Sequence, residues 1–270
     1  MAGIAHMSVS GNSVRREATG LRAATLLIVF AILSACSGRP EVGALALNED
    51  PVVGARVNDI LIVTTRQRDD RPDTYFSGER SAAVNYAEAS ISVPPSHKPG
   101  QIEWPESLPG NPKTDFVARK ADYIADNAAF RRSVNARLAS LPRGERDIML
   151  FIHGYNTRFP EGLYRFAQIV NDSQFQGVPV LFTWASRGKL QDYVYDLNSA
   201  AIARGALEET LVELAKTNAD NITILAHSMG NWLLMETAVQ ARPENRRLVA
   251  KHVNDIVLAA PDIDIDLFKT

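Results

Sequence analysis

Asn221–Leu233 reads N-I-T-I-L-A-H-S-M-G-N-W-L, and the organisation of the rest of the chain follows from this stretch. Ile222, Thr223, Ile224 and Leu225 form a short apolar, largely β-branched run bounded by polar residues, the pattern of a strand buried in a parallel sheet. Ala226-His227-Ser228-Met229-Gly230 follows directly, and a helical pattern then continues to about Arg242. Strand, small-x-Ser-x-Gly and helix make a nucleophile elbow, with Ala226 where the first glycine usually stands. Such a turn is strained, and small residues two positions on either side of the serine suit a close approach of strand and helix. Ser228 Oγ is thereby expected in the open above the sheet, with the Met229 N–H at the helix start directed at a developing oxyanion. The alternative is an ordinary strand-to-helix turn closed by a capping serine. The flanking strand and helix favour the elbow.

Outward from the elbow, strand and helix patterns alternate. Asn254–Ala260 reads as the next strand and leads into Pro261-Asp262. Upstream, Val178–Trp184 and Ile148–Ile152 are buried strands, and Asp59–Arg66 is the first clear one. Ala89–Val93 alternates as a half-exposed antiparallel strand does, and Pro94–Gly100 reads as a loop. Tyr123, Asn127, Phe130, Val134, Leu138 and Leu141 recur at helical spacing, which predicts one helix over Ala121–Leu141. Pro160 opens a helix with Leu163, Phe166 and Val170 on one face. A longer helix is expected over Asn198–Thr217, with Ile202, Leu207, Leu211 and Leu214 inward. This alternation predicts one α/β domain: a mostly parallel sheet with helices on both faces.

In such a sheet, chemistry gathers at the carboxyl ends of the strands. His153-Gly154-Tyr155-Asn156 sits at one such end, where the second oxyanion donor belongs, so the backbone N–H of Tyr155 or Asn156 is the candidate. His153 reads as a hydrogen-bonding strut more than as a base, with Gly154 beside it, and His227 reads as structural. Asp262 ends the last strand in the serine-then-acid order and is the candidate acid. Equally, Asp262, Asp264 and Asp266 fit as caps of a following helix.

Four segments carry a resemblance: Phe151-Ile152-His153-Gly154-Tyr155-Asn156-Thr157, Phe182-Thr183-Trp184-Ala185-Ser186, Ala226–Asn231 and Leu258-Ala259-Ala260-Pro261-Asp262-Ile263-Asp264. Together they resemble the bacterial esterase/lipase-like branch of the α/β-hydrolase superfamily catalogued as domain of unknown function nine hundred. Asp59–Arg66 and Val93–Pro105 are also similar to its members, so the likeness runs from about Asp59 to the end; Ala185 stands where members usually have proline. It implies an α/β-hydrolase fold and a serine hydrolase of the carboxylesterase or lipase type, acting on a small-molecule or lipid ester. It brings no physiological substrate.

That chemistry needs a histidine after the acid, yet His6, His97, His153, His227 and His252 all precede Asp262. The chain is therefore expected to be truncated at its C-terminal edge by about two βα units of roughly 30 residues each. Asp255–Ala260 would then be an uncovered apolar edge, and Ser228 would acylate slowly. His97, in the proline-rich loop, is the remaining candidate for a substitute base. The competing reading is a non-catalytic lipoprotein that uses the fold as a binding platform. Acyl transfer to an acceptor other than water also stays open.

At the N-terminus, Arg15, Arg16 and Arg22 precede an apolar run, Ala23–Leu33, and then Ser34-Ala35-Cys36. By charge and length, residues 1–35 are a signal peptide, with Met1 or Met7 as its start. Leu33-Ser34-Ala35-Cys36 resembles the bacterial lipobox, which makes Cys36, the chain's single cysteine, the lipid attachment site. The alternatives are a plain secretory signal, or a buried helix with a chance cysteine. Ser37 after the cysteine resembles the sorting signal for the outer membrane, so an exported protein, acylated with palmitate-like chains and facing the periplasm, is expected. Residues 36–58 read as a tether and 59–270 as the hydrolase domain. A net charge of −2 argues against a nucleic-acid partner, and one cysteine argues against a disulfide or a cysteine-based zinc cluster. No metal or cofactor is expected, and nothing in the sequence sets the oligomeric state.

Overall fold

The structure is a computed structural model, and residues 42–260 are described. Cys36 with its signal peptide, and Asp262 with the residues after it, lie outside the described residues.

The strands are β1 (Arg56–Asp69), β2 (Tyr75–Val93), β3 (Val117–Ile124), β4 (Asp147–Ile152), β5 (Val178–Thr183), β6 (Asn221–His227) and β7 (Val253–Ala259). They form one sheet in the order β3-β2-β1-β5-β4-β6-β7. Every neighbouring pair from β1 to β7 is parallel, while β2 runs antiparallel to both β1 and β3. The helices are α1 (Asn127–Ala139), α2 (Phe159–Asp172), α3 (Tyr193–Ala215), α4 (Met229–Gln240) and α5 (Pro243–Ala250).

Side-chain alternation along each strand divides the core in two. Ile148, Leu150 and Ile152 of β4 join Phe130 and Val134 of α1, Leu207 and Leu214 of α3, and Leu233 of α4 on one face. Phe151 of the same strand turns to the other face and packs with Ile60, Ile62 and Leu181 against Leu163, Phe166 and Val170 of α2. Helices on both faces of a parallel sheet explain why β4 and β5 read as continuous apolar runs. Each fully buried side chain of this size contributes about 1.5–3 kcal/mol, so the sheet centre is the least yielding part of the molecule.

Three expectations are corrected. The helix predicted over Ala121–Leu141 starts only at Asn127, because Ala121 and Tyr123 pair with Ala89 and Ala87 in the β2–β3 ladder. Asp126 then begins α1 by accepting a hydrogen bond from Ala129 N at 2.7 Å. Ile202 does not face inward and is 62% exposed, because α3 packs through the small residues Ala200 and Ala203. The tether is part of the domain from Ala44 onward: Leu45 is fully buried, Ala44 O accepts from Tyr164 Oη at 3.0 Å, and Leu47 bridges Ala118. A single docked leucine has no periodicity to betray it. Among the described residues β7 lies at the sheet edge, with Ile256 and Val257 about half-exposed.

Candidate active site

β6 ends at His227, α4 starts at Met229, and Ser228 alone makes the bend at φ 50°, ψ −125°. A positive φ is uncommon outside glycine and costs on the order of 1–3 kcal/mol. Ser228 makes no side-chain capping bond to α4, which removes the capping-serine alternative. The bend is held from outside: Ser228 N donates to Ala259 O of β7 at 3.0 Å. Asn231, fully buried, donates from Nδ2 to Ser228 O and to Ala259 O, each at 3.0 Å. One amide group thus ties the elbow to the next strand.

The small residues of the motif answer to β4 more than to the elbow's own strand. A Cβ on Gly230 would lie 2.6 Å from both Ile152 O and His153 O. Ala226 is fully buried in the core. Gly154 is equally constrained, since a Cβ there would sit 2.8 Å from Ser228 Cβ and 2.8 Å from His227 Nδ1. The structure therefore brings Ser228, Gly154 and the start of α4 together. As the first residue of α4, Met229 has no intrahelical acceptor for its N–H.

His153 is buried, and its ring is fixed at both nitrogens. Nδ1 meets Gly154 O at 2.8 Å, so Nδ1 carries the proton. Nε2 accepts from Trp184 N at 3.2 Å and faces Thr183 Oγ1 at 2.9 Å. The Trp184 ring stacks on His153, and its Nε1 donates to His153 O at 3.0 Å. Burial, reinforced by the nearby Arg66 charge, pushes the His153 pKa down to about 3. A neutral ring with its acceptor nitrogen already engaged is a strut.

The loop after Gly154 is pinned as well. Asn156 has φ 55°, which asparagine tolerates, and its N–H donates to Asp196 Oδ2 at 3.2 Å. The amide of Asn156 is thus engaged, and of the two candidate oxyanion donors in this loop the Tyr155 amide is the one left. The Tyr155 hydroxyl donates to Leu190 O, just ahead of α3.

The other histidines divide clearly. His97 bridges Glu103 Oε2 at 2.8 Å and Asp172 Oδ1 at 2.7 Å, at the C-terminal end of α2. That is the opposite end of the sheet from Ser228, which rules His97 out as a substitute base. His252 precedes β7 at the same far end and meets Leu248 O. His227 ends β6 directly before the serine and pairs with Ala259 in the β6–β7 ladder. Reading the chain also missed Arg66, Asp196, Ser186 and Asn231, all fully buried. Arg66, Ser186 and Asn231 carried a signal, since they fall inside resembling segments; Asp196 carried none. Among the described residues no His, Cys, Asp and Glu cluster is placed to hold a metal ion, and no helix is long and apolar enough to cross a membrane.

A mostly parallel sheet with helices on both faces, a positive-φ serine between β6 and α4, and a glycine loop at the neighbouring strand end define an α/β-hydrolase fold. The family model described as "Alpha/beta hydrolase of unknown function (DUF900)" matches residues 126–270, more than half of the chain, and the chain belongs to that family. The match starts later than Asp59, so the three N-terminal strands fall outside it. Comparison with curated proteins and with solved structures returns no match.

Proposed function

We propose that this protein is a serine hydrolase of the carboxylesterase or lipase type, with Ser228 as nucleophile. The observation that carries the reading is the geometry of Ser228: a strained, uncapped serine at a helix start, packed against Gly154. Ser228 Oγ attacks the acyl carbon of an ester, and the carbonyl oxygen becomes an oxyanion facing the Met229 and Tyr155 amides. The acyl–alkoxy bond breaks, the alcohol leaves with the serine proton, and water then hydrolyses the acyl-enzyme. Asp262 is the proposed acid. Its support is that Ala259 O already accepts from Ser228 N, so the chain leaving β7 starts beside the nucleophile. Small-molecule and lipid esters are the substrate class, with no cofactor.

Release of p-nitrophenol from esters of increasing acyl length tests this, with Ser228→Ala as control. Turnover that disappears in Ser228→Ala supports the reading. Equal turnover in both proteins, or none in the wild type at any chain length, overturns it. The same proposal puts the domain in the bacterial cell envelope through acylated Cys36, on the strength of Leu33-Ser34-Ala35-Cys36. Cys36→Ala should move the protein from the membrane to the soluble fraction; an unchanged membrane fraction contradicts it.

A further inference from the structure

Beneath the Gly154–Thr157 loop lies a buried pair of opposite charges that a nucleophile elbow does not by itself require. Arg66, near the carboxyl end of β1, is fully buried, and every face of its guanidinium is used. Nε donates to Thr183 Oγ1 at 2.8 Å. Nη1 donates to Ser186 O at 2.8 Å and to Ser77 O at 3.2 Å. Nη2 donates to Thr157 O at 2.7 Å and faces His153 Nε2 at 3.4 Å. Asp196, in the first turn of α3, is also fully buried and accepts from Asn156 N at 3.2 Å, Ser186 Oγ at 2.5 Å and Arg187 N at 3.0 Å. Ser186 joins the two charges, its carbonyl on Arg66 and its hydroxyl on Asp196, while Thr157 N donates to Ser186 Oγ at 3.0 Å.

Taking two charges out of water carries a large desolvation penalty, and an apolar core of the same volume is often as stable. What the pair uniquely supplies is direction. Asp196 holds the amide of Asn156, and Arg66 holds the carbonyl of Thr157 and the acceptor edge of His153. The peptide between Gly154 and Tyr155 is thereby fixed between two anchored ends, against Ser228 Cβ. We propose that Arg66, Ser186 and Asp196 are positioning residues that aim the Tyr155 amide at the oxyanion, with the Asn156 amide withdrawn from that role. This inference rests on the hydrolase reading above.

The test is steady-state hydrolysis of p-nitrophenyl butyrate and of its thionoester analogue by full-length wild type, Asp196→Asn, Arg66→Lys and Ser186→Ala, with a thermal melt of each. Ser186→Ala removes one hydroxyl and keeps both charges, so it preserves the fold if the charge variants do not. An oxyanion donor acts in the transition state, so Asp196→Asn should lower kcat by on the order of 10²-fold with KM within about twofold. Ser186→Ala should lower kcat by roughly tenfold. In both, the preference for ester over thionoester should shrink, because sulfur accepts hydrogen bonds poorly and gains little from a well-aimed amide. A merely structural role would lower the melting temperature and leave kcat per folded molecule and the thiono ratio at wild-type values; that result overturns the inference while the hydrolase reading stands. Turnover undiminished in Ser228→Ala removes that reading and the inference with it.

Discussion

Replacing Gly230 with alanine places a Cβ 2.6 Å from Ile152 O, 2.6 Å from His153 O and 3.1 Å from Ile152 Cγ2. Real Cβ atoms essentially never approach closer than 3.0 Å, so the start of α4 must back away by several tenths of an ångström. The carbonyls cannot yield instead, since Ile152 ends β4, a central strand paired with β5 and β6, and His153 O is held by Trp184 Nε1 at 3.0 Å. Overpacking costs about 1–3 kcal/mol, and the upper end applies where both obstacles are backbone. Alanine returns at most about 1 kcal/mol in helix propensity, leaving a net loss of about 2 kcal/mol. Gly205, exposed within α3, is the internal standard, because a Cβ there meets nothing within 4 Å. Gly205→Ala should therefore gain about 1 kcal/mol from propensity alone. For a domain of this size the melting temperature should rise by about 2–4 °C in Gly205→Ala and fall by about 4–8 °C in Gly230→Ala. Calorimetry or urea denaturation of the two variants beside wild type reads the difference. A Gly230→Ala protein as stable as Gly205→Ala would refute the claim that β4 sets the size limit in the elbow.

His97 gives a pH prediction. Its burial favours the neutral ring, but Glu103 and Asp172 outweigh that and raise its pKa above the ordinary 6.5. The stabilisation is fully present below pH 6.5 and disappears as pH rises through the higher folded value. Glu103 and Asp172 work in the opposite sense. Burial raises both, but hydrogen bonds win, from His97 and the Lys98 amide for Glu103 and from the Gly100 amide, Gln168 and His97 for Asp172, which sits at about 2. Their share is lost as the solution is acidified below their ordinary 4.5 and 3.8. Urea midpoints should thus peak between about pH 4.5 and 6.5 for this cluster, and His97→Asn should flatten the alkaline limb; a limb unchanged in His97→Asn contradicts the assignment. Asn231→Asp removes the donor shared by Ser228 O and Ala259 O and should cost about 2–4 kcal/mol, with protection of the β7 amides falling in hydrogen exchange; unaltered β7 protection would count against it. Gly154→Ala drives a Cβ into Ser228 Cβ and His227 Nδ1, so esterase turnover should fall by at least about tenfold while the melting point moves less than in Gly230→Ala. Full turnover would show that Gly154 does not border the nucleophile.

The parts of the fold visible in the sequence are those whose signal is local. β4 and β5 read as apolar runs and β6 as a largely β-branched one, and the stripe Leu163–Phe166–Val170 predicts α2, because burial on both faces of a sheet or on one face of a helix leaves a local trace. Tyr123 failed for the same reason: its spacing from Asn127 and Phe130 suits a helix, and only the β2–β3 ladder shows otherwise. At the site, Ser228 and Gly154 were legible because a sharp bend and a close approach both demand particular residue types. The burial of Arg66 and Asp196 was not. A charge at the end of a strand or in the first turn of a helix reads as solvated, and burying this arginine takes acceptors from Ser77, Thr157, Thr183 and Ser186, which come together only in the folded chain. The purpose of Asn231 likewise needs β7 beside the elbow, a neighbour that spacing cannot reveal.

The central claim is that Ser228 is a presented nucleophile, and covalent capture tests it most directly. The full-length protein is incubated with a fluorophosphonate and digested, and its peptides are mapped by mass spectrometry. One phosphonyl adduct, on Ser228 and absent from Ser228→Ala, is the predicted result. An adduct on another residue, or an unmodified Ser228 after prolonged exposure in folded protein, would contradict the account.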